Sequence, residues 1–247
     1  MQTYDTPNII SYGGGVQSTA LIALSVLENI AVDEIIHVDL MQAESPATRE
    51  YVAYIRNWLA ERNIQMTIIE RDLYQAMLDN PSFAPAPFLA RDGGFILSRQ
   101  CTRQFKIAPI RAHIRARYPK RRVNVWLGIS VDEYHRMRDS DVSYITHCYP
   151  LIDRRLTRND CRDVIKRAGL RMPEKSSCWF CPFRRATEQS ALVARYPHLA
   201  EMAQRLEDVI NADRARRGKD EIIVLKTQPT NAQQLDLLCD QTGWCVS

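Results

Sequence analysis

No stretch of the 247 residues approaches the roughly 18 consecutive apolar residues that a membrane span needs. The opening residues MQTYDTPNIISYGGG hold neither a basic segment nor an apolar core of the kind that marks an export signal. A cytosolic protein without membrane association is therefore expected. Internal repeats and low-complexity tracts are also missing. Charge of one sign is scarce: 33 Lys and Arg stand against 29 Asp and Glu, a net charge of +4. The basic residues do gather locally, as RARYPKRR (115–122), RDVIKR (162–167) and RARRGK (214–219). Such clusters suit nucleotide phosphates or a nucleic-acid backbone, and they equally suit solvated helix ends. Without an export signal, the seven cysteines argue against a disulfide framework and for metal, cluster or thiol chemistry.

What is present reads as one α/β domain with a small appendage, since this length supports a single well-buried core. NIISY (8–12) is a short apolar run that ends in three glycines, and Val16 to Asn29 then places Ala20, Leu24 and Leu27 on one helical face. EIIHVDL (34–40) has the look of a buried parallel strand, Pro46 to Arg62 of its following helix, and QMTIIE (65–70) of a third strand. This βαβαβ order implies a parallel, doubly wound sheet. From Asp79 to Arg99 proline and glycine interrupt any pattern, and a long loop over the sheet's carboxyl edge is expected. A helix from Phe105 to Tyr118, a strand over 122–129 and another carboxyl-edge loop over 130–143 follow. Thr157, with Asp160 three residues on, is a plausible N-cap for a helix to Ala168. A long amphipathic helix from about Ala186 to Arg217, interrupted at Pro197, and a strand-like IIVL from residue 222 complete the reading.

The glycine turn SYGGGVQST lies between a strand and a helix, where small residues let backbone N–H groups approach a phosphate. It can also be a tight turn with no ligand. In this context it resembles the PP-loop of the ATP pyrophosphatases and phosphoadenosine phosphosulfate reductases, S-x-S-G-G-x-D-S, which falls on Ser11, Gly13, Gly14, Gly15, Gln17 and Ser18. Gly13 replaces a serine and Gln17 replaces the acidic residue. The second change removes a carboxylate that would help to hold Mg²⁺ and sets ATP cleavage in question.

Further segments resemble the same family in the same order. HVDLMQAESPATREYV is similar to D-T-G-x-x-x-P-E-T-x-x-Y through Asp39, Pro46, Thr48 and Tyr51. CTRQFKIAPI (101–110) resembles C-C-x-x-R-K-x-x-P-L through Cys101, Lys106 and Pro109. WLGISVDEYHRMRDS is similar to G-x-R-x-x-E-S-x-x-R and sets Gly128, Glu133, Arg136 and Arg138 in a loop able to meet phosphate or sulfate. PLID (150–153) resembles P-L-x-D-W-T. Together these cover roughly residues 8–185.

The resemblance implies a Rossmann-like doubly wound parallel sheet of the adenine nucleotide alpha hydrolase type with a C-terminal helical, cysteine-bearing extension. Residues 1–175 would form the nucleotide-binding domain, and 176–247 a Cys-x-x-Cys segment, long helix and tail packed on the same fold. It implies an adenine nucleotide, ATP or adenylyl sulfate or its 3′-phosphate, bound by Ser11, Gly13, Gly14, Gly15, Gln17, Ser18, Asp39, Gly128, Arg136 and Arg138, with Mg²⁺ as a possible companion. Asp39 at a strand's carboxyl end can reach a ribose or adenine edge, though an acidic residue there also serves ordinary loop solvation.

Cys178-Trp-Phe-Cys181 has a spacing able to chelate one metal or cluster. The family's cluster-bearing reductases hold four irons and four sulfides with four cysteines, and Cys101, Cys178 and Cys181 match three of them. Zinc, with Cys239, Cys245 or a histidine as fourth ligand, is the alternative. The reductases end in E-C-G-x-H, whose cysteine attacks the sulfonucleotide. That motif is absent here, and CDQTGWC offers Cys239 and Cys245 as candidate nucleophiles, with Lys106 to neutralise the sulfate.

Three functions remain open at this point. One is sulfonucleotide reduction, with a thiol reductant as partner. The second is ATP-dependent sulfur transfer to tRNA or DNA, with a sulfur donor. The third is a nucleotide- or metal-binding module without catalysis. A homo-oligomer is expected under each.

Overall fold

The computed structural model describes residues 6–91, 95–96 and 100–226. Five strands form a parallel sheet: β1 (Asn8–Tyr12), β2 (Glu34–Asp39), β3 (Met66–Glu70), β6 (Val123–Leu127) and β7 (Ile145–Cys148), in the order β3-β2-β1-β6-β7. β1 sits in the middle, with Ile10 paired to Ile35 of β2 on one side and to Trp126 of β6 on the other. Strand side chains alternate between faces, so Ile9 and Ile10, both fully buried, serve different cores. Each buried isoleucine of this kind contributes about 1.5–3 kcal/mol.

On one face Ile10 and Tyr12 pack with α1 (Val16–Leu27), α2 (Pro46–Ala60) and α6 (Arg158–Arg167), through Leu21, Leu24, Ile55, Leu59, Val164 and Ile165. On the other face Ile9, Ile36, Val123 and Val125 pack against Ile114 of α4 (Ala108–Arg117). Helices on both faces of a five-stranded parallel sheet make the fold α/β and doubly wound, as expected. Thr157 caps α6 as its sequence predicts: its hydroxyl accepts from Asp160 N, and the Asp160 carboxylate accepts from Thr157 N, a reciprocal capping box.

Several elements differ from expectation. The stretch expected as a loop from Asp79 to Arg99 contains β4 (Phe88–Ala90) and β5 (Phe95–Ile96), which join β8 (Ile222–Ile223) in a small antiparallel sheet ordered β5-β4-β8. Three and two residues are too few to carry a periodic signal, and their pairing with residue 222 is purely long-range. Three more elements lack an adequate local signature: α3 (Leu73–Asp79), β7, and the single turn α5 (Pro150–Asp153). The long C-terminal helix divides at Pro197 into α7 (Ala186–Arg195) and α8 (His198–Arg216), because proline cannot donate into a continuing helix.

A second core lies beneath α3 and α8. Trp179 and Phe180 fill it from the Cys-x-x-Cys turn, with Tyr74, Met77, Phe88, Leu206 and Ile210 around them. Among the described residues, no helix is long and apolar enough to cross a membrane.

Candidate functional site

The carboxyl ends of β1, β2, β6 and β7 enclose, with the helix that contains α4, a cavity of about 440 Å³. Ligand pockets commonly measure about 300–1,000 Å³. β1 and β6 flank the point where strand order reverses, which is where open α/β sheets hold ligands. Ser11, Tyr12 and Gly13 reach the cavity from β1, Val38 from β2, Val125, Leu127 and Ile129 from β6 and just beyond, and Ile145, His147 and Tyr149 from β7. The sheet thus supplies mainly apolar walls.

The charged wall comes from the helix. Residues Thr102–Ile107 form a π-helical turn that runs directly into α4; such wide turns are often found at functional sites. Thr102, Arg103, Lys106, Ile107, Ile110 and Arg111 share the face that borders the cavity. Arg136 and Arg138 join them from the loop after β6, so five basic side chains stand against Asp139 and Asp141. Arg111 pairs with Asp141, whose carboxyl this partner holds below its ordinary value. Arg136 is the deeply set cation, its side chain 9% exposed, with Nη1 2.6 Å from Glu133 Oε2. Its Nε has no hydrogen-bond partner among the described residues. The backbone of Arg138 is clamped: its carbonyl accepts from the Tyr149 hydroxyl at 2.6 Å and its N–H donates to that hydroxyl at 2.9 Å. The Arg138 guanidinium itself donates to the His135 and Met137 carbonyls and is exposed.

The residues expected to bind the nucleotide divide into two groups. Ser11, Gly13, Lys106, Arg136 and Arg138 all line the cavity. Gly14, Gly15, Gln17, Ser18, Asp39 and Gly128 do not. Gly14 is buried with φ +77°, a left-handed conformation suited to glycine, and a Cβ there would stand 2.9 Å from Thr48 Cγ2. Gly15 is buried as the N-cap residue of α1. Of the three glycines, Gly13 alone opens toward the cavity, and its N–H donates to the Ser18 hydroxyl at 3.3 Å. Gln17 is 1% exposed and its Oε1 accepts from Arg158 Nη1 at 3.1 Å, so this residue is held against α6. Asp39 accepts from Met41 N at 2.8 Å and pairs with Arg49 at 3.0 Å.

Beside the cavity lie the cysteines. Trp179 and Phe180 anchor the Cys178–Cys181 turn: Trp179 Nε1 donates to Gln42 O at 2.8 Å, and Phe180 stacks on Phe88 at 6.2 Å. Cys178 also forms an antiparallel bridge with Glu44, and the backbone N–H of Trp179 donates to Ala43 O at 3.2 Å. Cys101 begins the helical segment that carries Lys106. Burial raises the Cys178 thiol well above its ordinary value, with Glu44 adding to the effect, and burial raises Cys101, with Cys181 adding. Burial disfavours the Lys106 charge, but Glu44 and then Cys178, Cys101 and Cys181 outweigh it, and the net shift is upward. The Cys178–Cys181 turn and Cys101, distant in the chain, therefore lie within electrostatic reach of one another, of Lys106 and of Glu44.

Among the described residues, no three His, Cys, Asp or Glu side chains converge as the ligands of a single metal ion. Three thiols are a soft donor set, which suits an iron–sulfur cluster or zinc. Cys239 and Cys245 lie outside the described residues.

Sequence reasoning missed Arg103, Arg111 and Glu44. The first two had a signal, since 103, 106, 107, 110 and 111 recur with helical spacing. Glu44 had none.

No family model matches the sequence, and no curated protein matches it. Among solved structures the chain is similar to the U34-tRNA thiolase NcsA from Methanococcus maripaludis with its [4Fe-4S] cluster. The identity is 10% and the TM-score 0.44, over 95% of this chain and 81% of that one. A likeness at that level assigns neither residues nor activity.

Proposed function

We propose that this chain is an enzyme of sulfur chemistry that binds an adenine nucleotide in the cavity at the switch point and an iron–sulfur cluster at Cys101, Cys178 and Cys181. One observation carries the reading: Lys106 lines the cavity, follows Cys101 on one helical segment, and stands 3.8 Å from Glu44, whose backbone bridges Cys178. A basic residue so placed joins a phosphate- or sulfate-sized anion to a thiol-rich centre.

The first reading is sulfonucleotide reduction. The adenylate of adenylyl sulfate lies along the apolar walls near Ser11 and Gly13, with the sulfate toward Lys106 and Arg136. A thiol, assigned to Cys239 or Cys245, attacks the sulfur. The sulfur–oxygen bond to the nucleotide breaks, and AMP leaves with the bonding electrons. A reductant thiol then attacks the S-sulfonated cysteine and releases sulfite; two thiols end as a disulfide while sulfur gains two electrons. A bound cluster would supply a polarisable, Lewis-acidic iron centre beside Lys106. Lys106 orients the anion, and the apolar walls exclude water from the sulfur, which favours thiolysis over hydrolysis.

A second reading, ATP-dependent sulfur transfer to nucleic acid, is favoured by the three-cysteine set, which leaves one iron of a four-iron cluster without a cysteine. The seating of Gln17 against Arg158 weighs against it, since no carboxylate is offered there for Mg²⁺.

Both readings are tested on anaerobically purified protein. With adenylyl sulfate and a thiol reductant, release of sulfite and AMP is expected. Release of pyrophosphate from ATP only in the presence of tRNA or DNA would replace the first reading with the second. Neither product, despite nucleotide binding, would leave a non-catalytic module. Brown protein carrying iron and sulfide, bleached by Cys178→Ala, is expected of the cluster; colourless protein with stoichiometric zinc would end that assignment.

A further inference from the structure

Glu44 has no place in the motifs that point to nucleotide binding, yet its environment is the least self-sufficient among the polar groups near the cysteines. Its side chain is 1% exposed, and neither carboxylate oxygen has a hydrogen-bond partner among the described residues. Its nearest cation is Lys106, whose Nζ is 3.8 Å from Oε2, too far for a hydrogen bond. A carboxylate buried in this way loses hydration that a single distant ammonium repays poorly. The missing partner is one that takes lone pairs.

The backbone places Glu44 beside the thiols. It bridges Cys178 directly, and the Trp179–Ala43 hydrogen bond fixes the register, so the Glu44 and Cys178 residues cannot separate without unpairing that turn. Cys181 follows within the same aromatic-anchored turn, and the Lys106 that faces Glu44 is on the helical segment that begins at Cys101. Of the other charged or titratable groups nearby, His37 hydrogen-bonds through Nδ1 to Tyr12 O at 3.0 Å, and Asp39 is used by Met41 and Arg49.

We propose that the Glu44 carboxylate is the fourth protein ligand of the cysteine site, binding through oxygen the iron that the three cysteines leave free. The inference rests on the cluster reading above. The cluster would then be closed by three thiolates and one carboxylate, with Lys106 offsetting part of the negative charge that this set gathers. A harder oxygen ligand on one iron makes that iron the exchangeable one, because iron–sulfur clusters are otherwise held by softer thiolate.

The test uses the full chain, reconstituted anaerobically with ferrous iron and sulfide, as wild type, Glu44→Gln and Glu44→Cys. Iron and acid-labile sulfide are counted, iron release to a chelator is timed, and electron paramagnetic resonance is recorded after one equivalent of ferricyanide. Circular dichroism checks that each variant is folded. Glu44→Gln should release one iron of four at least roughly tenfold faster than wild type, since even outer-sphere partners affect metal affinity on that scale. It should also give a three-iron signal at an oxidant dose that wild type survives. Glu44→Cys should restore four irons, a rescue that a mere counterion for Lys106 would not predict from a buried, protonated thiol. If Glu44→Gln keeps four irons with wild-type release and no three-iron signal, the carboxylate is not a ligand and the cluster reading survives. If Glu44→Cys stays as labile as Glu44→Gln, the ligand role is likewise overturned. Wild type that takes up no iron and sulfide overturns the cluster reading and this inference together.

Discussion

A Cβ placed on Gly128 would stand 2.6 Å from the backbone nitrogen of Ser18 and 2.7 Å from its Cα. The loop leaving β6 therefore lies directly on the first turn of α1, and only a residue without a side chain permits that approach. Both sides of the contact are backbone, so neither can rotate away. Gly128→Ala should destabilise the fold by about 1–3 kcal/mol, as overpacking does. It should also weaken binding of adenylyl sulfate by displacing Gly13 from the cavity edge. Urea denaturation and calorimetric titration measure the two effects, and an unchanged midpoint with unchanged affinity would contradict the argument.

Gly14 carries two separate constraints. Its φ of +77° costs a residue with a side chain about 1–2 kcal/mol. The close approach of Thr48 Cγ2 adds a steric penalty. Gly14→Ala is expected to lower the unfolding midpoint, and Gly14→Ala with Thr48→Ser, which deletes the clashing methyl, should recover part of the loss but not all. Full recovery would mean that backbone conformation contributes nothing there.

The cavity's cations are unequal. Arg136 is nearly buried and has an unpartnered Nε, whereas the Arg138 guanidinium is exposed and spends its donors on nearby carbonyls. A hydrogen bond to a charged group is worth about 1.5–3 kcal/mol, or roughly 10- to 150-fold in affinity. Arg136→Met should weaken adenylyl sulfate binding on that scale, and Arg138→Met by much less. The residual effect of Arg138 should fade with added salt, since exposed charges are screened. Titration calorimetry at two salt concentrations compares them.

The Thr157 hydroxyl, helped by the Thr157 backbone N–H, holds the Asp160 carboxyl below its ordinary value of 3.8. The unfolded chain then takes up the proton first. The resulting stabilisation is complete above pH 3.8 and is lost as pH falls through the lower folded-state value. Thr157→Val should reduce stability at neutral pH, and its difference from wild type should shrink below that point. Because Arg158 follows the cap and holds Gln17, loss of the cap is also expected to loosen the start of α1. Denaturant curves across the acid range, with hydrogen exchange at residues 16–20, report both.

Local pattern made much of the framework readable. The strands at Asn8–Tyr12, Glu34–Asp39, Met66–Glu70 and Val123–Leu127 are runs of branched apolar residues, and the helices between them carry an apolar stripe. Thr157 and Pro197 acted where their chemistry says they should. β7 escaped because ITHC is short and half-polar, and β4 and β5 escaped because two or three residues hold no period, whereas β8 falls within the strand-like IIVL.

The order of elements, the parallel sheet and the position of the glycine turn at its carboxyl edge follow from residue type and spacing, which act over a few neighbours. Which glycine opens toward the cavity, the seating of Gln17 against Arg158, and the meeting of Lys106 with Glu44 and three thiols were decided only by the tertiary structure. Those relationships join positions separated by tens of residues, and no local preference encodes them. They exist because packing the two cores brings the helix after the small sheet, the turn after β2 and the Cys-x-x-Cys segment to one corner of the parallel sheet.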